Sequence, residues 1–100
     1  MAAQTTVDIG EMITSSPGIK RGTPHIAGTG VTVRTIVRMY QQGMLPEEIA
    51  LEYGHLSLAQ VHAALAYYHA NRKAIEDDIA QQDAEGERLE REHRRVSPAR

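Results

Sequence analysis

From Leu58 to Glu85 the chain contains neither glycine nor proline, whereas the stretch from Met12 to Gly30 carries Pro17, Gly18, Gly22, Pro24, Gly28 and Gly30. Glycine and proline are the strongest local breakers of regular structure. The contrast divides the 100 residues into a turn-rich opening and a helical remainder. Ser57 and Gln60 stand at capping-box spacing at the head of the uninterrupted run. This predicts a helix opening at Leu58 and spanning about 28 residues, roughly 42 Å at 1.5 Å per residue. Glu87–Arg95 remains helix-compatible, and Val96-Ser97-Pro98-Ala99-Arg100 is expected to fray.

Two shorter helices precede it. Thr32 suits an N-cap, Val33, Ile36, Val37 and Tyr40 follow a three-four rhythm, and Gly43 ends the pattern. Pro46 suits a first helical position, with Glu47 and Glu48 complementing the helix dipole, and Ile49, Ala50 and Tyr53 lead to a stop at Gly54. In the opening, single apolar residues at Ile13, Ile19 and Ile26 leave room for short extended pieces around Met12–Ser15, Ile19–Arg21 and His25–Ile26. The predicted fold is mainly α: a three-helix helix-turn-helix body with a short N-terminal β-hairpin and a long C-terminal helix. Residues 1–11 read as a flexible arm, 12–73 as the body, and 74–100 as a charged helical tail, partly disordered.

At 41% hydrophobic and 24% charged, the chain is one small domain. It has no Phe, no Trp and four Tyr, so its core is thin and a second subunit contributing buried area is expected. The lack of cysteine excludes disulfides, thiolate-bound zinc and a thiol nucleophile. Residues 1–8 show no basic or apolar signal region, and the longest apolar run, Ala63–Tyr68, is far short of the roughly 18 residues of a membrane span. A soluble cytoplasmic protein is expected. The net charge of -2 is unevenly spread: residues 1–73 carry six basic and five acidic side chains, residues 74–100 five and eight. Neither part has the basic excess typical of nucleic-acid binding.

The helices on either side of Gly54-His55-Leu56 form a helix-turn-helix, with Ile49, Ala50 and Tyr53 expected to face Leu58, Val61 and Leu65. Read as a DNA-binding unit, it would present Ser57, Ala59, Gln60, His62 and Ala63 to bases, with Gln60 suited to adenine. Arg34 and Arg38 on the first helix would hold phosphates. None of the base-facing candidates is Arg or Lys, and the same residues serve equally as a plain three-helix core. Gly22–Gly30 lacks the spacing and the lysine of a phosphate-binding loop. His25, His55, His62, His69 and His93 lack metal-ligand spacing and read as surface or half-buried histidines, and Glu47, Glu48 and Glu52 read as dipole complement. No catalytic arrangement and no cofactor site is expected.

A stripe stepping by three and four runs Leu58, Val61, Leu65, Tyr68, Arg72, Ile75, Ile79, Gln82, Gly86, Leu89, His93 and Val96. Leu58 to Tyr68 serve the body, while Ile75, Ile79 and Leu89 are expected to lie beyond its reach, among Glu76, Asp77, Asp78, Asp83, Glu85 and Glu87. Such an edge is either a coiled-coil seam or a ligand for a partner's groove. Arg72, Gln82 and Gly86 interrupt the seam and favour the groove. The partner-binding candidates are Arg72, Ile75, Glu76, Asp78, Ile79, Asp83 and Leu89.

Ile13-Thr-Ser-Ser-Pro17-Gly-Ile19 followed by Gly22-Thr-Pro24-His-Ile26-Ala-Gly28-Thr29-Gly-Val-Thr-Val33 resembles the opening of the family labelled domain of unknown function 433. The resemblance continues through Ile36, Gly43, Glu47, Ile49, Tyr53, Leu56, Val61, Ala63-Ala-Leu65 and Tyr67, over roughly residues 12–70. It implies a VapB-like antitoxin with a homeodomain-like helical fold, paired with a PIN-type ribonuclease toxin. The family's Gly-Thr-Arg is Gly28-Thr29-Gly30 here, so a role for that arginine does not carry over, and its Tyr-Pro is Tyr53-Gly54. The resemblance ends before the acidic tail. The resulting expectation is an antitoxin-like component of a bacterial toxin–antitoxin pair, homodimeric, touching operator DNA and neutralising a nuclease through its C-terminal helix. The alternatives are a stand-alone helix-turn-helix regulator and a dimerisation module without DNA binding.

Overall fold

The computed structural model describes residues 6–15 and 22–96. Asp8 caps a single 3-10 turn, Ile9–Glu11, by accepting from the Gly10 N–H at 2.9 Å. Strands β1 (Ile13–Thr14) and β2 (His25–Ile26) pair antiparallel, Ile13 opposite Ile26 and Thr14 opposite His25. This is the expected hairpin; the extended piece foreseen at Ile19–Arg21 lies outside the described residues, as do residues 97–100.

Helix α1 (Val33–Gln41) starts where Thr32 accepts from the Thr35 N–H and buries Val33, Ile36 and Val37. Helix α2 (Pro46–Tyr53) begins on its proline and ends at Gly54, whose φ of 73° is the left-handed conformation that favours glycine. Helix α3 (Leu58–Ala70) opens with the reciprocal Ser57–Gln60 cap. Helix α4 runs Arg72–Val96. The body is thus three helices with a helix-turn-helix at α2–α3, a short hairpin packed on α3, and a long C-terminal helix.

Two expectations about the C-terminal helix are corrected. The single long helix is instead two. Its break falls at Asn71 (φ −130°, ψ 45°), whose backbone N–H bonds to the Tyr67 and Tyr68 carbonyls and whose side-chain amide donates to the Tyr67 carbonyl at 3.1 Å. Asparagine ends a helix this way because its short amide competes for backbone groups, without any glycine or proline. The redirected chain then lays the first turns of α4 against α1 and α3. Ile75, expected out of reach, is 2% exposed within the core, and Ile79 packs against that core, so the packed body extends past residue 73. Burying an isoleucine of this size is worth about 1.5–3 kcal/mol, enough to set the direction of α4.

The core gathers Ile26, Val33, Ile36, Val37, Ile49, Leu56, Val61, Ala64, Leu65, Tyr68 and Ile75. Leu58, assigned to it from the stripe, is instead 42% exposed at the outer face of the first turn of α3. His25, expected at or near the surface, is buried, with Nδ1 3.0 Å from the Thr23 carbonyl oxygen. Among the described residues no helix is long and apolar enough to cross a membrane.

Candidate functional site

The arginines proposed for phosphate and the carboxylates proposed for a partner meet each other. Arg34 Nη1 donates to Asp78 Oδ2 at 2.9 Å, and Arg38 Nη2 donates to Asp83 Oδ1 at 2.6 Å. The inner pair is largely covered, its side chains 21% and 25% exposed, while the outer pair is more open at 38% and 56%. Both arginines point from one edge of α1, one helical turn apart, and the pairs advance together along α1 and α4.

The next cations along the chain are also taken. Arg72 lies 5.3 Å from the Tyr68 ring centroid and donates to both the Tyr68 hydroxyl and Glu76, while the Tyr68 hydroxyl donates to Glu76 at 2.8 Å. These bonds hold the Arg72 guanidinium above its ordinary pKa, the Tyr68 contact contributing most. Lys73 pairs with Asp77 at 2.9 Å. Of the seven partner-binding candidates, Arg72, Ile75, Glu76, Asp78, Ile79 and Asp83 therefore all contact the body or its first neighbours in α4. Leu89, 51% exposed, stands clear of it.

The candidate base-reading surface has a different character. Gln60 Oε1 accepts from the Ser57 N–H at 2.7 Å, and Ser57 Oγ accepts from the Gln60 N–H at 3.1 Å, so both polar groups serve the cap of α3. His62 is exposed on the same helix. From Met39 to Asn71 there is no lysine or arginine, while α2 contributes Glu47, Glu48 and Glu52. Leu45 and Leu51 are 60% and 80% exposed, and Leu51 and Leu58 line a shallow groove of about 380 Å³ with Ala50 and Leu56. The α2–α3 face is apolar with an acidic rim. Burial, with Glu52 adding to it, pushes the Tyr53 phenol above its ordinary pKa.

Beyond Ile79 every described side chain of α4 is exposed. This projecting part is laced by Arg88–Glu85 and Arg88–Glu92 pairs at 2.5 and 2.8 Å and an Arg94–Glu90 pair at 3.8 Å. Spacings of three and four residues place such pairs on one helix face, where they support an isolated helix. Arg91 pairs with no described carboxylate. Among the described residues no group of three or more His, Asp or Glu is placed to hold a metal ion.

Sequence reasoning did not find the α1–α4 contact or the exposed leucines Leu45 and Leu51 at and on α2. The contact had one local signal, Asn71 between two helical patterns. Leu51 had another, since it falls off the face shared by Ile49, Ala50 and Tyr53.

These elements define a small helix-turn-helix protein carrying a C-terminal helix that is docked at its root and projects at its end. Residues 13–68 match the family model described as protein of unknown function (DUF433), and the chain belongs to that family. It is similar to the crystal structure of a DUF433 member protein from Anabaena variabilis, with 33% sequence identity and a TM-score of 0.65, over 70% of this chain and 69% of that one. No curated protein matches it.

Proposed function

We propose that the protein is an antitoxin-like component of a bacterial toxin–antitoxin pair. In this reading it acts in the cytoplasm, by binding rather than by catalysis, and uses α4 to occlude a PIN-type ribonuclease. The observation that carries the reading is the division of α4: its root is fixed by Ile75 and two ion pairs to α1, and its end projects with every described side chain exposed. A body that holds and presents a stiff helix suits groove binding. Because Asp78 and Asp83 are engaged by α1, the contact to a nuclease falls to the projecting end, with Leu89 as apolar anchor and Arg88, Arg91 and Arg94 around it. A nuclease that holds Mg²⁺ with carboxylates offers an acidic centre to such arginines.

Homodimerisation through the leucines of the α2–α3 face and operator binding by the body belong to the same proposal. The turn at Gly54 between α2 and α3 also supports the second reading, a stand-alone helix-turn-helix regulator. Against direct base reading stands the cation-free segment from Met39 to Asn71. Growth rescue tests the first reading, with the chain co-expressed with a PIN-type nuclease encoded beside it. A chain ending at Ala84 retains Ile75 and Asp83 and is expected to stay folded and lose rescue. Equal rescue by that chain places the nuclease contact elsewhere and defeats the α4 reading.

A further inference from the structure

We infer that α1 carries a binding site for the phosphodiester backbone of duplex DNA, and that α4 occupies this site in the free chain as a built-in polyanion. The inference rests on the operator-DNA part of the proposed function and gives it a location and a restraint. Arg34 and Arg38 are one turn apart, about 6 Å along α1, and Asp78 and Asp83, five residues apart, advance about 7.5 Å along α4. Cations one helical turn apart on a helix face can each take a backbone phosphate of the same strand. Two carboxylates at that spacing take the place of backbone phosphates on a pair of arginine forks, which bind either anion through the same N–H donors.

The restraint is releasable. Ile75 anchors the root of α4 in the core, but beyond Ile79 no described side chain of the helix is buried, and among the described residues its outermost link to the body is the half-exposed Arg38–Asp83 pair. Displacing Asp83, and then Asp78, exposes both arginines while Ile75 stays in place. In the free chain the cations nearest the helix-turn-helix in sequence, Arg38 before it and Arg72 after it, both face carboxylates of α4. The closed α1 face thus offers little to a phosphate, and binding at α1 competes with α4.

The test is binding of a short random-sequence DNA duplex across a salt series, comparing the full-length chain with a D78N/D83N double variant. Half-exposed pairs of this kind correspond to about two- to thirty-fold competition together. The double variant is therefore expected to bind tighter by that range. Its slope of log affinity against log salt should steepen by about 2, one step for each released arginine. E11Q/E87Q changes the net charge equally away from the clasp and is expected to leave the slope unchanged. Adding R34A/R38A to the double variant is expected to remove the gain. D83N alone, which touches no core residue, is expected to give about half the change in slope and serves if the double variant does not fold. Equal affinity and slope for the closed and opened chains overturns the clasp while leaving operator binding standing. Absence of binding by both removes the α1 site and the operator part together, and growth rescue reads the nuclease part separately.

Discussion

At the scale of single residues, Ile75 matters most because it is where the projecting helix joins the core. It is 2% exposed and packs with the hydrophobic cluster of the three body helices. Apart from the small Ala74, the residues between Arg72 and Asp78 around it on α4 are charged, so a cavity left there has Ile79 as the one large apolar side chain on its own helix packed against the core. Ile75→Ala is expected to destabilise the protein by about 2–5 kcal/mol, the cost of lost transfer energy plus the cavity. Urea unfolding checks this, and a loss below 1 kcal/mol would mean that α4 is not seated as described. Asn71 matters for a different reason. Its amide ends α3 by hydrogen bonding to the Tyr67 carbonyl, which frees the chain to turn so that burial of Ile75 sets the direction of α4.

At the scale of elements, α4 has two parts with different physics. The root is held by apolar burial and by Arg34–Asp78, whose partly covered setting makes it less open to screening by salt than the outer Arg38–Asp83 pair. Among the described residues the end has no link to the body and is supported by its own backbone hydrogen bonds and three- and four-residue ion pairs, each pair worth about 0.2–0.5 kcal/mol. Thermal melts of two truncations separate the parts. A chain ending at Ala84 is expected to melt close to the full-length protein. One ending at Lys73 loses Ile75 and leaves Arg34 and Arg38 without partners, and is expected to melt lower by about 4–8 °C for each 1 kcal/mol lost. Similar melting of the two chains would show that the root contributes nothing.

At the scale of the whole molecule, the leucine face of α2–α3 and the thin core make the same demand. A core without Phe or Trp supplies little buried area, and Leu45, Leu51 and Leu58 leave large apolar side chains in solvent. Pairing of two copies over this face brings Glu47, Glu48 and Glu52 of each toward the rim, so the dimer should strengthen as salt screens them. Sedimentation at micromolar concentration is expected to give a dimer, and Leu51→Glu a monomer of 11.1 kDa. An 11.1 kDa species for the unaltered chain counts against pairing. The same salt weakens the α1–α4 pairs, so the two effects run in opposite directions.

The local elements were legible in the residues themselves. Thr32, Pro46, Gly54 and the Ser57–Gln60 box act within one turn of their own backbone, and each set its helix boundary as spacing predicted. The hairpin at Ile13 and Ile26 followed from the same short-range turn chemistry. The family resemblance was equally legible over the body, where the ordered glycines, prolines and isoleucines lie. Which face of the C-terminal helix is buried was not legible. A stripe of Ile75, Ile79 and Leu89 reads the same whether it meets its own body or another protein, because periodicity records an apolar face and not its partner. Only the turn at Asn71 and the folding back of α4 decided that Ile75 belongs to the core and Leu89 to solvent. The pairing of Arg34 with Asp78 and Arg38 with Asp83 joins residues 44 and 45 positions apart. No local propensity reaches that far, so tertiary packing alone turned two separate candidate sites into one closed contact.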